Sequence, residues 1–143
     1  MPESLLSLNS LDAYYGDFQA LYTLDMDVHD GEVIAIIGAN GAGKTTLMRS
    51  ISGLLTNEPN QIRYRGRKIG ALRADQVAHL GIALVPEGRQ LFPSLSVEEN
   101  LMLGAQVGRR GPWSLERVYD LFPILEQRRS QASTSLSGGQ QQM

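Results

Sequence analysis

The sequence contains no cysteine and no long apolar run, and these two absences exclude several kinds of protein. Without cysteine the chain cannot form a disulfide framework, a thiolate metal site or a thiol nucleophile, which fits a reducing compartment. Its longest aliphatic run, VIAII at 33–37, is far shorter than the roughly 18–20 apolar residues that span a bilayer. The first residues also lack the order of a signal peptide. The sequence therefore predicts a soluble chain that is not exported.

The charge composition also lacks a strong bias. The formal net charge of −2 gives no general attraction for nucleic acid or for anionic membranes, although a balanced total leaves room for a local patch. With 143 residues, of which 42% are hydrophobic and 20% charged, the chain has the size and composition of one globular domain. Its partners must therefore be inferred from individual sites.

The first strand patterns lie before residue 38. In LDMDVHD at 24–30, apolar residues alternate with polar ones, which predicts a half-buried strand. Asp30 and Gly31 then form a typical turn pair. VIAII at 33–37 has no alternation, which predicts a central strand covered on both faces.

Further patterns complete an α/β arrangement in the first half of the chain. QIRYRGRKI at 61–69 predicts a hairpin around Gly66, and GIALV at 81–85 predicts a short buried strand that ends before Pro86. A helix is predicted between the strand at 33–37 and this hairpin, because apolar residues recur there at helical spacing. Its apolar residues are Leu47, Ile51, Leu54 and Leu55.

The second half is predicted to be mostly helical. One helix carries Val97, Leu101 and Gly104. A second helical stripe consists of Leu115, Val118, Leu121, Phe122 and Leu125. GRRGP at 108–112 connects the two helical regions, and Trp113 is expected in the helical core.

A glycine-rich loop, GANGAGKTT at 38–46, carries the first chemical signal. Gly38, Gly43, Lys44 and Thr45 satisfy the pattern G-x-x-x-x-G-K-[ST], between a predicted strand and a predicted helix. Small residues allow backbone N–H groups to surround phosphate oxygens, and the helix presents its positive end to the same anion. Lys44 would reach the β and γ phosphates, and the Thr45 hydroxyl would bind a phosphate-bound Mg²⁺. We call residues 38–45 the phosphate loop.

A second motif, LSGGQ at 136–140, lies near the end of the chain, with Ser137 as a predicted helix N-cap. Together with the phosphate loop, this motif makes the chain resemble the nucleotide-binding domain of ABC transporters, over essentially its whole length. LSGGQ is the signature sequence of that family, and we call residues 136–140 the signature segment. YYG at 14–16 resembles the aromatic A-loop, which would place Tyr15 against adenine.

The resemblance implies a set of site residues for ATP and Mg²⁺. Those expected to bind the nucleotide are Tyr15, Gly38, Asn40, Gly41, Ala42, Gly43, Lys44, Thr45, Thr46, Ser137, Gly138, Gly139 and Gln140. Thr45 and Glu87 are expected at the metal. In the family, the signature segment acts on the γ-phosphate held by a second subunit in a head-to-tail dimer.

The stretch IALVPEGRQLFPSLSVEENL at 82–101 resembles the Q-loop region of the ATP-binding subunits of branched-chain amino acid importers. The family generally has glutamine at the Q-loop position, whereas this chain has Glu87. A carboxylate would therefore approach the Mg²⁺ and the attacking water, which makes Glu87 the candidate catalytic residue. Gln90 is no obvious substitute, and a solvated loop acid is the alternative interpretation.

The implied fold class is α/β: a P-loop NTPase core with an amino-terminal antiparallel β subdomain and a helical subdomain. We expect an incomplete nucleotide-binding core over residues 1–93 and the helical subdomain over residues 94–143. In the family, a strand that ends in aspartate (Walker B), a catalytic glutamate and a switch histidine follow the signature. The chain is therefore expected to be truncated before the Walker B strand and to bind nucleotide without efficient hydrolysis.

The implied function is the ATP-binding subunit of an ABC importer for branched-chain amino acids. Its expected partners are ATP, transmembrane permease subunits and a second ATPase subunit, with the chain in the cytoplasm on the inner face of the plasma membrane. No nucleic-acid partner is expected.

Four alternatives remain open for the function. The first is a urea or amide importer subunit, and the second is a soluble ABC-type ATPase of DNA repair or translation, in which the basic stretch at 61–73 would contact nucleic acid. The third is a small P-loop kinase, against which the signature argues. The fourth is a docking fragment whose region 95–104 contacts a membrane subunit.

Overall fold

The computed structural model describes residues 4–108 and 111–143. The chain forms two compact units, Met1–Leu84 and Val85–Met143, which we describe one at a time. The predicted connector at 108–112 lies partly outside the described residues, because these do not include 109 and 110. No helix in the described ranges is both long enough and apolar enough to cross a membrane.

The first unit contains a four-stranded antiparallel sheet. Its strands are β1 (Leu6–Tyr15), β2 (Phe18–Val28), β3 (Ile62–Tyr64) and β4 (Arg67–Lys68), in the order β2-β1-β3-β4. Along the end of β2, half-buried and exposed residues alternate as the sequence predicts. The amino-terminal antiparallel β subdomain and the hairpin at 61–69 are therefore confirmed.

Two helices, α1 (Lys44–Ile51) and α2 (Ala74–Leu80), accompany this sheet. The core contains one face of the sheet and residues from the segments that cover it. Its buried members are Leu8, Leu11, Ala13, Leu21, Leu47, Ile62 and Ile69. Leu47 belongs to α1, so the helix that follows the phosphate loop is packed on the sheet.

The predicted helix extends less far than its apolar spacing suggested. α1 ends at Ile51, and Leu54, which the stripe included, is 58% exposed. The cause is Gly53, whose φ of 73° is left-handed and ends the helix. A Cβ at Gly53 would lie 2.8 Å from the carbonyl oxygen of Leu72, so the close approach also requires glycine.

The predicted buried strands at 33–37 and 81–85 are wrong as local assignments. Neither segment is a strand, and Val33, Ile37 and Val85 are 95%, 93% and 72% exposed. A central strand needs a hydrogen-bonded neighbour on each side, and within residues 4–108 and 111–143 neither segment pairs with a strand. Apolar sequence alone therefore did not produce a strand here.

The second unit is helical, as predicted. It contains α3 (Val97–Ala105), α4 (Leu115–Leu121) and α5 (Pro123–Gln127), and two short 3₁₀ turns at Ser133–Ser135 and Gln140–Gln142. Its buried core consists of Val97, Tyr119, Leu125 and Leu136. These residues come from each helix and from the start of the signature segment.

Two expectations for the second unit require correction. The stripe from 115 to 125 forms two helices, because Pro123 has no N–H and pushes Phe122 out of the helical region, to φ −129° and ψ 74°. Trp113 lies outside the core: its side chain is 63% exposed, and the Arg117 guanidinium lies 5.3 Å from its ring centroid.

Candidate functional site

The backbone of the phosphate loop folds into a tight turn that leads directly into α1. The amide of Ala42 donates to the carbonyl oxygen of Ala39 at 3.2 Å, and Gly41 and Gly43 have left-handed φ values of 85° and 87°. Gly43 is the N-cap of α1, and its carbonyl accepts the first helical hydrogen bond, from Leu47, at 2.9 Å. The loop thus has the glycine-dependent conformation that the motif predicts.

Lys44 is held inside the loop by main-chain oxygens. Its ammonium donates to the carbonyl oxygens of Gly38 and Ala39, both at 2.8 Å. The ammonium therefore lies on the loop, at the start of α1, where a phosphate oxygen would also find the positive end of the helix. Asn40, Gly41, Ala42 and Thr45 line the same loop.

The loop is anchored to the core of the sheet at Gly43. A Cβ at this position would lie 2.6 Å from Cδ2 of Leu21 and 3.0 Å from the carbonyl oxygen of Ala20, both on β2. At Gly38, a Cβ would lie 3.1 Å from that of Ala42. Glycine at the end of the loop therefore serves two purposes, a left-handed turn and close packing on β2.

Tyr15 connects the end of β1 with the first turns of α1. The pKa of Tyr15 lies below its ordinary value, and the main cause is a hydrogen bond with the side chain of Thr46. Partial burial raises this pKa, and Arg49 lowers it. Thr46 is only 8% exposed, whereas Tyr15 is 41% exposed. Phe18 is the cross-strand partner of Tyr15 and is 69% exposed, which adds a second aromatic surface at this end of the hairpin.

In the second unit, Glu87 lies in an exposed loop with an unusual backbone. Gly88, Arg89 and Gln90, which follow it, all have left-handed φ values, of 75°, 64° and 48°. Two of the three are not glycine, so this loop stores backbone strain of about 1–2 kcal/mol for each of them.

Asn100, on α3, fixes the segment that follows this loop. Its side chain accepts a hydrogen bond from the amide of Phe92 at 2.9 Å and donates to the carbonyls of Phe92, Leu95 and Ser96. A single amide side chain thus contacts four main-chain groups, and it adds to the backbone hydrogen bonds that the carbonyls of Phe92, Leu95 and Ser96 already accept. Ser96 and Glu99 form the capping box of the same helix.

The signature segment forms a reciprocal pair of capping bonds. The Ser137 amide donates to Oε1 of Gln140 at 3.0 Å, and Oγ of Ser137 accepts from the Gln140 amide at 3.4 Å. Ser137 and Gln140 therefore make the bonds of a capping box, but the following element, Gln140–Gln142, is a 3₁₀ turn whose N-cap is Gly139 and not the predicted Ser137. Gly138 and Gly139 are exposed between these two residues.

Arg89 links the Glu87 loop to the signature segment. Its Nη1 donates to Oε1 of Gln141 at 3.2 Å, and its guanidinium covers Gly138 so closely that a Cβ there would lie 2.7 Å from Nη2. Gln141 in turn donates to the carbonyls of Ser133 and Leu136. A side chain at position 138 would therefore displace the end of the Arg89 side chain from its present place.

The structure brings the predicted site residues together in two groups. In the first unit, the phosphate loop and Tyr15 meet through Thr46; in the second, the Glu87 loop and the signature segment meet through Arg89. Arg49 was not among the predicted site residues, although its helical spacing from Thr46 places both on one face of α1. No local spacing could have indicated the contact between Arg89 and Gly138.

The donor chemistry of the first group suits Mg²⁺ bound together with a phosphate. Mg²⁺ prefers oxygen ligands and takes few of them from the protein when phosphates supply others. The Thr45 hydroxyl offers such an oxygen in the first turn of α1. In the part of the chain that the structure describes, no group of three or more His, Asp or Glu side chains forms a separate metal site.

Comparisons with known proteins agree with these features. The ABC transporter family profile matches residues 21–143. The high-affinity branched-chain amino acid transport ATP-binding protein BraG of Pseudomonas aeruginosa is 39% identical over 141 residues, which are 97% of this chain and 60% of that protein. The fructose import ATP-binding protein FrcA of Rhizobium meliloti is 34% identical over 155 residues, covering 98% of this chain and 60% of that protein.

Solved structures show the same relationship. One structure, described as the ATP binding subunit of an ABC transporter, has a TM-score of 0.78 and 30% sequence identity. The match covers 97% of this chain and 58% of the chain in that structure. A dimeric cassette bound to ADP and Pi has a TM-score of 0.76 and 25% identity over 95% of this chain and 65% of its own. The chain thus spans about three fifths of its relatives. The predicted α/β fold class is confirmed, and the chain belongs to the ABC transporter family.

Proposed function

We propose that this chain is the ATP-binding part of an ABC importer subunit. The observation that carries the proposal is the phosphate loop, in which two left-handed glycines, a loop-bound lysine ammonium and the start of α1 lie together in a member of this family. These groups provide hydrogen-bond donors and positive charge, which a polyphosphate needs and a neutral ligand does not. The similar cassette that holds ADP and Pi supports the same ligand class.

Each residue of the phosphate loop has a proposed role toward ATP. The amides of Asn40, Gly41 and Gly43 surround the phosphates, and the Ala42 amide joins them by leaving the carbonyl of Ala39. Lys44 moves from its carbonyl partners to the β and γ phosphates. Thr45 binds Mg²⁺, which supplies charge neutralisation at the phosphates. Thr46 completes the first turn and holds Tyr15.

The remaining site residues have more distant roles in this proposal. Tyr15 stacks on adenine, and the signature segment (Ser137, Gly138, Gly139 and Gln140) acts on the nucleotide of a second ATPase subunit. Glu87 would offer its carboxylate to the metal and to the attacking water. For this chain alone we propose binding without efficient hydrolysis, because phosphoryl transfer needs a positioned nucleophile as well as a phosphate cradle.

The proposed cargo is a branched-chain amino acid. BraG and the importer-like stretch at 82–101 support it, whereas FrcA, which is named for fructose import, supports a sugar as the alternative cargo. The proposed partners are permease subunits and a second ATPase subunit, with the protein peripheral to the inner membrane face. The division into residues 1–93 and 94–143 is part of the same proposal.

Calorimetric titration of Mg-ATP into the chain tests the nucleotide site. Lys44→Ala should abolish binding, because it removes the charge that contacts the phosphates, whereas Lys68→Ala, which removes a lysine from β4, should not change the affinity. Phosphate release from the same samples should remain at the background rate. Equal ATP affinity in the parent chain and Lys44→Ala would reject the proposed site.

A further inference from the structure

The hairpin of β3 and β4, residues 62–68, contains four cations that the nucleotide site does not use. We call these residues the basic hairpin. Its register places Arg63 opposite Lys68 and Tyr64 opposite Arg67, and Arg65 and Gly66 form the turn. Arg65, Arg67 and Lys68 are exposed. The chain as a whole carries a net charge of −2, so this hairpin has the opposite sign to the rest of the molecule.

The charges of the basic hairpin are not compensated within the described residues. Arg63 and Lys68 are directly opposite each other, and like charges at such positions destabilise a strand pair. In residues 4–108 and 111–143 no ion pair involves the hairpin, whereas Arg73, just beyond it, pairs with Asp75. Asp27 and Arg63 both pair with Ser7, from the two neighbouring strands, so the three side chains lie on the same face of the sheet. Two strand spacings, about 10 Å, separate Asp27 from Arg63.

The turn adds a second local cost. Arg65 has a left-handed φ of 48°, a conformation that glycine or asparagine adopts more easily. Its guanidinium lies 5.6 Å from the ring centroid of Tyr64, which directs a cation to the tip of the hairpin. Protection of an edge strand would explain Arg67 and Lys68, the two cations of β4, but it does not require Arg63 on β3 or Arg65 in the turn.

We propose that the basic hairpin binds the headgroups of anionic phospholipids. A charged bilayer surface requires only several cations at an exposed tip, whereas a nucleic acid would extend over the acidic remainder of the chain. A single-stranded nucleic acid also needs an exposed aromatic platform, and Tyr64 is half-buried with Arg65 over its ring. This proposal goes beyond nucleotide binding and stands without it.

Vesicle sedimentation of the intact chain tests the proposal. Vesicles of phosphatidylcholine with about 30% phosphatidylglycerol are compared with pure phosphatidylcholine, at low salt and over a series of lipid concentrations. Each cation near an anionic surface contributes about fivefold to partitioning, so Arg65→Gly/Arg67→Gln/Lys68→Gln should bind about 100-fold more weakly. Glycine suits the left-handed turn, so this variant should keep the hairpin.

The matched control is a pair of single variants with the same change in net charge. Arg67→Gln removes a cation of the hairpin and should weaken partitioning about fivefold, whereas Arg73→Gln removes one that lies outside the hairpin, at the start of α2, and should have little effect. Equal effects of the two variants, or equal binding of the parent to both kinds of vesicle, would refute the proposal. Displacement from the vesicles by an equal phosphate concentration of a single-stranded oligonucleotide would instead identify a nucleic-acid surface.

Discussion

Substitution of Gly43 by alanine should destabilise the first unit more than any other glycine change in the phosphate loop. The left-handed φ of 87° costs an L-residue about 1–2 kcal/mol. The new Cβ would lie 2.6 Å from Leu21 Cδ2 and 3.0 Å from the Ala20 carbonyl oxygen, and overpacking of this kind costs about 1–3 kcal/mol. Because Leu21 is only 5% exposed, its side chain has little room to move away. The expected total is about 2–5 kcal/mol.

Gly41 provides the matched control for this prediction. Its φ of 85° is almost the same, but a Cβ at Gly41 would have nothing within 4 Å, so Gly41→Ala should show only the backbone cost of about 1–2 kcal/mol. Adding Leu21→Ala to Gly43→Ala should give less than the sum of the single effects, because the contact with Cδ2 is then absent. The difference between the two glycine variants isolates the packing of the loop on β2.

Urea unfolding followed by circular dichroism measures these free energies, with the slope of the transition checked for constancy between variants. Equal destabilisation by Gly41→Ala and Gly43→Ala would refute the reasoning, because it would show that the loop does not pack on β2. If the effects of Gly43→Ala and Leu21→Ala on the free energy of unfolding simply add, the proposed contact between a Cβ at position 43 and Leu21 would be refuted.

Three further predictions concern the second unit. The pKa of Tyr119 is raised to about 12, first by burial and next by Glu98. The carboxylate of Glu98 accepts a hydrogen bond from the Tyr119 hydroxyl at 2.8 Å. The folded state therefore keeps this proton longer than the unfolded chain, so stability should fall as pH rises from about 10 to about 12, and Tyr119→Phe should remove that part of the fall in alkaline urea unfolding. Ser96→Ala should lower the free energy of unfolding by about 1 kcal/mol through loss of the α3 cap, and an unchanged urea midpoint would contradict this. Gly138→Ala should displace the guanidinium of Arg89, with little loss of stability but with faster amide hydrogen exchange at residues 140–142. Arg89→Ala should show the same pattern. Unchanged hydrogen exchange in both variants would contradict the contact between Arg89 and the signature segment.

Short-range features of this protein were predictable from the sequence. The alternation along β2, the turn at Gly66 and the hydrogen bonds between Ser137 and Gln140 each depend on residues that are neighbours in the chain. The phosphate loop was predictable for the same reason, since its glycines and Lys44 lie close together along the chain. In such cases the sequence contains the complete physical cause.

Features that depend on distant partners were not predictable. The apolar run at 33–37 reads as a buried strand, yet a strand forms only when another backbone supplies its hydrogen bonds. Gly53 ends α1 partly because Leu72 approaches it, and the glycine at 138 accommodates Arg89, which lies far earlier in the chain. These contacts join residues whose positions in the sequence give no sign of each other.

The two carbonyl bonds of Lys44 have a kinetic consequence for any anion that uses the phosphate loop. Such bonds from a charged donor are stronger than neutral ones, so the ammonium occupies a stable resting position on Gly38 and Ala39. An incoming phosphate must compete for it, and the fraction of molecules with the ammonium released limits the apparent affinity. If release is slow, the observed binding rate should level off at high nucleotide concentration, and the plateau would report how often the lysine leaves its resting position.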